Sequence, residues 1–194
     1  MMYFIAYHLV KVYFYLLYRF KVTGRENVPE KKVILCINHT QNVDPLMIAV
    51  ALKRRQRPHF LAKHQIFKFK AFNWFLTSCG AYPINRDIVD LTAMKKTLKL
   101  LKEEKTVMMF PEGTRVSQEE MSQAKAGAGM FAFKSGAHII PVYISPNKRL
   151  FSRVRIVFGA EIPLPELEGK PTNQDYLAFA TTVMEQVFAL GRDA

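Results

Sequence analysis

Val33-Ile34-Leu35-Cys36-Ile37 is a run of five apolar residues with no polar residue between them. Successive side chains of a strand point to opposite faces, so such a run is stable only in a sheet covered on both sides. A second run, Thr106 to Phe110, repeats the requirement. Covering two faces calls for helices between strands, and the intervening sequence supplies them. Between Asp87 and Lys105, Ile88, Leu91, Met94, Leu98 and Leu101 recur every three or four residues, with Asp early and Lys late. That pattern predicts an amphipathic helix whose charges suit its dipole. Asp44-Pro45 offers an N-cap with proline in the first helical position and predicts a helix through about Lys53. His59 to Ala62 reads as a short strand, and Ala124 to Ser135 as a helix ended by Gly136. Ala137 to Ile144 and Arg153 to Phe158 read as strands, and Gln174 to Leu190 as a closing helix. The alternation predicts an α/β fold, a largely parallel twisted sheet flanked by helices.

The N-terminus obeys a different rule. Met1 to Phe20 is the most apolar stretch, but His8, Lys11 and Arg19 interrupt it. It lacks the basic start and small-residue cleavage site of a signal peptide. His8, Lys11, Tyr15, Tyr18 and Arg19 fall at helical spacing and draw one polar stripe, while Phe4, Ile5, Leu9, Val12, Leu16 and Phe20 cover much of the rest. A helix of this kind lies in the headgroup plane of a bilayer. Packing on the protein's own core and spanning the membrane are the alternatives. The reading divides the chain into an interfacial helix, residues 1–22, and one globular domain, residues 23–194.

Charge points the same way. The formal net charge is +12, and no acidic residue occurs from Met1 to Arg25 or from Pro45 to Asn85. The second stretch mixes Lys53, Arg54, Arg55, Arg57, Lys63, Lys68 and Lys70 with Phe60, Phe67, Phe69, Phe72, Trp74 and Phe75. A basic patch attracts nucleic acid, an anionic leaflet or a phosphorylated substrate, and the interleaved aromatics favour the membrane interface. The hydrophobic fraction of 49% lies between a freely soluble domain and a polytopic membrane protein. Cys36 and Cys79 sit in apolar stretches, as small buried hydrophobes in a reducing compartment do. No C-x-x-C or H-E-x-x-H occurs, so no metal site is expected. There is no G-x-S-x-G elbow, and Phe133 stands where a phosphate-binding P-loop needs glycine, which speaks against a serine hydrolase and a nucleotide site.

In open α/β sheets chemistry collects just past the carboxyl ends of strands. One such loop is Asn38-His39-Thr40-Gln41-Asn42-Val43-Asp44. A turn there can fold the Asp44 carboxylate against the His39 imidazole, fixing its tautomer and stabilising the imidazolium formed when the other nitrogen takes a proton. The bland reading leaves Asp44 a helix cap and His39 a loop histidine. The other loop is Pro111-Glu112-Gly113-Thr114-Arg115, where glycine permits close backbone approach and a hydroxyl and guanidinium follow as phosphate donors. Arg86 closes Gly80-Ala81-Tyr82-Pro83-Ile84-Asn85-Arg86, and Lys125 opens the Ala124 to Ser135 segment against the dipole preference.

In this order the elements resemble the 1-acylglycerol-3-phosphate acyltransferases and their glycerolipid acyltransferase relatives. The resemblance runs from about Val33 to Ile144. Asn38-His39 with Asp44 resembles the family's first block, Gly80 to Arg86 the second, Phe110 to Arg115 the third, and Ile140-Pro141-Val142 the fourth. Gln65 stands where an acidic residue is common, and the N-terminal apolar segment is shorter than in many members.

The resemblance implies transfer of a fatty acyl group from acyl-CoA or acyl-ACP to the sn-2 hydroxyl of lysophosphatidate, giving phosphatidate without a cofactor or a covalent acyl-enzyme. It implies His39 as general base and Asp44 as its orienting partner. It casts Arg86, Gly113, Thr114 and Arg115 as acceptor-phosphate anchors and Glu112 as the residue arranging that loop. The oxyanion of the tetrahedral intermediate also needs donors, and backbone N–H groups or Lys125 are the candidates. Its alternatives are acylation of glycerol 3-phosphate or another lysolipid, and a lipid-binding relative without turnover. The partners expected are lysophosphatidate, the acyl carrier and an anionic membrane surface, with no nucleic acid. The place expected is the cytoplasmic face of the cell membrane, peripheral or monotopic.

Overall fold

The five-residue apolar run is the central strand of a seven-stranded sheet. The structure, a computed structural model, describes residues 2–52, 56–85, 87–113, 124–146 and 148–192. The strands are β1 (Arg19–Thr23), β2 (Val33–Ile37), β3 (His59–Lys63), β4 (Ala81–Ile84), β5 (Thr106–Met109), β6 (His138–Ile144) and β7 (Arg153–Phe158). Their order across the sheet is β1-β7-β6-β2-β5-β3-β4. Every pairing is parallel except β6 with β7. The helices are α1 (Met2–Leu17), α2 (Asp44–Ala51), α3 (Lys70–Ser78), α4 (Leu91–Lys102), α5 (Gly127–Ser135) and α6 (Asn173–Arg192). The expected α/β fold is the one observed.

Two cores explain why β2 has no polar residue. Val33, Leu35 and Ile37 join one cluster with α1, α2 and Leu76 of α3. Ile34 and Cys36 point the other way, into a cluster with Leu101, Phe131 and Val183 of α4, α5 and α6. All five side chains are buried. Each fully buried aliphatic side chain stabilises the fold by about 1.5–3 kcal/mol relative to exposure, so a polar residue on either face would be costly.

The structure corrects several expected boundaries. The helix expected from Asp87 begins at Leu91, because the Asp90 carboxylate accepts the Ala93 N–H at 2.9 Å and caps it there. Ile88 is left outside, exposed. Asp44 does not cap α2 with its side chain, since the carboxylate turns back toward the preceding loop. Residues 124–126 precede α5, held instead by a hydrogen bond from Lys125 N–H to the Pro111 carbonyl. α3, β1 and β4 were not anticipated.

The N-terminal helix ends at Leu17, where Tyr18 N–H still reaches the Phe14 carbonyl while Arg19 N–H already reaches Ser152 on the β7 side. Tyr18, Arg19 and Phe20 therefore leave the helical stripe, and Arg19 and Phe20 enter β1, an edge strand in register with β7. Along α1, Ala6, Tyr7, Val10 and Phe14 are buried in the domain core. Ile5, Leu9, Val12 and Leu16, spaced by four, three and four, stay exposed, Leu16 at 72%. Lys11 lies over the rings of Tyr7 and Tyr15. Core packing and an outward apolar stripe thus coexist on one helix. Among the described residues no helix is long and apolar enough to cross a membrane.

Candidate active site

β2 ends against β6, and one side chain locks the two together. Asn38 donates from Nδ2 to the Ile144 carbonyl at 2.9 Å and accepts the Ile144 N–H at Oδ1 at 2.8 Å. This double bond-pair replaces the ladder where the strands stop, and it fixes the next residue, His39, at the sheet's carboxyl edge.

His39 is held from three directions. Its backbone N–H donates to Glu112 Oε2 at 3.0 Å. Its ring lies against Phe110, with centroids 4.3 Å apart at 36°. Its Nδ1 stands 3.1 Å from Asp44 Oδ2. No hydrogen bond joins Nε2 to any of the described residues. The same Oδ2 accepts the N–H groups of Thr40 at 2.8 Å and Gln41 at 2.7 Å. The loop curls around the carboxylate, so Asp44 organises the turn behind it and not the helix ahead.

Asp44 is fully buried. Burial pushes its pKa up, but the His39 hydrogen bond, the charge of Lys148 and the Gln41 N–H together outweigh that and hold it below the ordinary carboxylate value. Lys148 was not singled out in the sequence. It follows β6 by four residues in a polar Ser-Pro-Asn-Lys segment, and nothing local signals that it turns inward. Its Nζ lies 2.8 Å from Asp44 Oδ1, with both side chains fully buried, and it donates to Thr40 Oγ1 at 2.6 Å.

Glu112 is buried, 4% exposed. Burial raises its pKa to about 7, with the His39 N–H opposing and the Asp44 charge adding to the rise. Because the folded value exceeds the ordinary 4.5, its contribution to stability is fully present below that value and is lost as pH rises through about 7. Glu112→Gln removes the titration. Thermal melts of variant and parent should therefore diverge in the variant's favour as pH rises across that window; parallel curves would show that Glu112 titrates normally.

Gly113 follows with φ +72, closing a turn in which its N–H donates to the Phe110 carbonyl at 2.9 Å. A Cβ here would meet Lys125, whose Cε would lie 2.8 Å away, so the glycine lets Lys125 lie across the loop. Both residues line one end of a cavity of about 540 Å³. Its walls are mainly apolar, from Ile84, Ala93, Met94, Met108, Phe131 and Tyr176. Phe110 lines the cavity on one side and touches the His39 ring on the other.

Of the residues the sequence put forward, His39, Asp44, Glu112, Gly113 and Lys125 lie around one end of the sheet. Arg86, Thr114 and Arg115 fall outside the described residues. Among the described residues no group of three or more His, Cys, Asp or Glu side chains is arranged to hold a metal.

Residues 19–145 match the model of the acyltransferase family. The chain is 33% identical over 145 residues to a 1-acyl-sn-glycerol-3-phosphate acyltransferase of Streptococcus pneumoniae, a match covering 72% of this chain and 53% of that one. It is 27% identical over 173 residues to a protein of the same name from Bacillus subtilis, covering 86% and 85%. The chain thus spans about half the length of the Streptococcus relative and most of the Bacillus one. In fold it is similar to the crystal structure of the 1-acyl-sn-glycerophosphate acyltransferase PlsC from Thermotoga maritima, with a TM-score of 0.72 at 23% identity, over 96% of this chain and 80% of that one.

Proposed function

Because the chain belongs to the acyltransferase family, we propose that it transfers a fatty acyl group from acyl-CoA or acyl-ACP to the sn-2 hydroxyl of lysophosphatidate, giving phosphatidate. The observation that carries this is the His39–Asp44 pair, buried and held at 3.1 Å, beside an apolar cavity that shares Phe110 with it. Asp44 Oδ2 accepts the Nδ1–H and leaves Nε2 as the basic nitrogen. The acceptor hydroxyl gives its proton to Nε2 as its oxygen attacks the thioester carbonyl. The tetrahedral intermediate then collapses, the C–S bond breaks, and the imidazolium returns the proton to the departing thiolate. A thioester is already activated, so holding both substrates together supplies much of the rate and no acyl-enzyme is required. The apolar cavity suits the acyl chain. Lys125, with Gly113 and the Arg86, Thr114 and Arg115 positions, is assigned to the acceptor phosphate, and Glu112 to fixing the His39 backbone.

The test offers purified protein lysophosphatidate with acyl-CoA and with acyl-ACP, and follows phosphatidate by mass spectrometry. Product with either donor is the expected result. Acylation of glycerol 3-phosphate or another lysolipid instead would replace the acceptor assignment. No product from any pairing, with lipid still bound, would leave a lipid-binding relative without turnover.

The surface supports work at an anionic bilayer. β1 runs parallel to β7 and β7 antiparallel to β6, so α1 ends at the edge of the sheet where β2 and β6 finish. Leu16 of α1, Leu150 and Phe151 of the β6–β7 connection, and Phe69 after β3 are all exposed, and Phe151 N–H bonds the Leu17 carbonyl. Apolar side chains near the site, on a chain of net charge +12, are what an interface with anionic lipid requires. Leu9→Glu with Leu16→Glu should abolish flotation with vesicles containing phosphatidylglycerol while leaving the thermal melt unchanged, since both side chains are exposed. Undiminished flotation would remove α1 from the contact.

A further inference from the structure

Lys148 has no part in the proton transfer described above, although it is buried against the residue that orients the base. We propose that Lys148 is a positioning residue whose ammonium clamps the Asp44 carboxylate and offsets its charge, fixing Oδ2 toward Nδ1 of His39. The inference rests on the assignment of His39 as general base.

The carboxylate is divided between two tasks. Oδ2 serves the imidazole and the two loop N–H groups, at 3.1, 2.8 and 2.7 Å. Oδ1 faces Lys148 Nζ at 2.8 Å. The same Nζ donates to the hydroxyl of Thr40, whose own N–H is bound to Oδ2. Lysine, threonine and aspartate therefore close a ring, and rotation of the carboxyl group about its Cβ–Cγ bond would break contacts at both oxygens. The ring holds Oδ2 toward Nδ1.

Charge gives the clamp its second effect. A carboxylate beside an imidazole stabilises the imidazolium, and an imidazolium cannot accept a proton. An ammonium on the far oxygen opposes that stabilisation. It also keeps Asp44 ionised despite complete burial. Burial lowers the Lys148 pKa while the Asp44 charge raises it, and the net direction is down. Among the described residues, the ionisable groups nearby are Glu112, whose carboxylate takes the His39 N–H from the loop after β5, and Lys125, which lies over Gly113. Neither contacts Asp44 directly. Lys148 is thus the cation paired with this carboxylate among the described residues.

A long flexible side chain drawn wholly out of water is an expensive way to fill space. An apolar residue of similar length would fill it at lower cost, but the carboxylate would then lose its counter-charge and be held at Oδ2 alone. The position in the loop after β6 is itself secured through Asn38, which ties Ile144 to the base of the histidine loop.

The test measures kcat and KM for acyl transfer to lysophosphatidate from about pH 5 to about pH 9, with whichever donor the parent enzyme uses. Lys148→Met should move the acidic limb of kcat/KM to higher pH by about one unit and lower the plateau kcat about tenfold, with the acceptor KM within about twofold. Lys148→Arg keeps the charge and should return the limb to the parent position. In an Asp44→Asn background, Lys148→Met should cost no further activity, because the lysine acts only through that carboxylate. Should Lys148→Met alone fail to fold, Lys148→Arg and the double variant, which buries no unpaired charge, still decide the matter. A limb unmoved in folded Lys148→Met, a limb moved by Lys148→Arg, or a further loss of more than about threefold in the double variant would each overturn the proposal. His39→Ala separates the two readings. If it retains parental turnover, the base assignment fails. If it is inactive while the Lys148→Met limb stays put, only the role of the lysine falls.

Discussion

Replacing His39 with alanine is expected to lower kcat about 10²–10⁴-fold while the lysophosphatidate KM stays within about twofold. The asymmetry follows from where the ring sits. His39 is 7% exposed, packed on Phe110 and anchored through its backbone N–H to Glu112, so only its Nε2 edge remains for substrate. In the proposed reaction that edge meets a hydroxyl proton and no phosphate oxygen, so its loss would remove proton transfer and leave acceptor binding to the Gly113 and Lys125 end of the site. The backbone bond to Glu112 does not depend on the side chain, so the loop should survive the change. Steady-state kinetics with varied lysophosphatidate would measure the split. A rise in KM with kcat preserved would mean that the imidazole binds the acceptor and does not act on its proton.

Asp44→Asn is expected to be as damaging to turnover, at about 10⁴-fold, and far more damaging to stability. The amide oxygen can still accept from Thr40 and Gln41, the two N–H groups that shape the turn. Being neutral, it cannot stabilise the imidazolium as a carboxylate does, so Nε2 becomes a poorer base. Lys148 meanwhile keeps its burial and loses its counter-charge. Removing one member of a buried ion pair costs about 3–5 kcal/mol. For a chain of this size that is a fall in Tm of about 6–20 °C. Asp44→Asn with Lys148→Met should recover most of that Tm and none of the turnover. Differential scanning calorimetry alongside the acyl-transfer assay would show whether the two losses part company in this way. Recovery of both together would make the ion pair a purely structural device.

Much of this was legible in the sequence, for identifiable reasons. β2 and β5 were readable because strands covered on both faces are apolar throughout. β7 occupies the predicted span, and α5 ends at the predicted Gly136, whose φ of +59 suits a helix terminus. β1 was hidden. Its alternation of Arg19, Phe20, Lys21, Val22 and Thr23 follows directly on a helical pattern, and Arg19 and Phe20 satisfy both periods. α3 was hidden because it is short: Phe72, Phe75 and Leu76 fall at helical spacing, but only over nine residues in a stretch that stands out first for its charge. Within the site, His39 and Asp44 could be paired because they are five residues apart, within reach of one turn. Reading Asp44 as a helix cap failed because the N–H groups of Thr40 and Gln41 competed for the same oxygen and won. Lys148 lay beyond local inference. It meets Thr40 from 108 positions away in the chain, and only the folded sheet brings them together.

A single residue, Tyr18, separates the last turn of α1 from the first pairing of β1. Both sides of that junction are hydrogen-bonded, Tyr18 to Phe14 and Arg19 to Ser152, and Phe151 binds Leu17 across it. The joint has no swivel. Whatever surface seizes the outer stripe of the helix also dictates the attitude of the whole sheet and the height at which the histidine is presented.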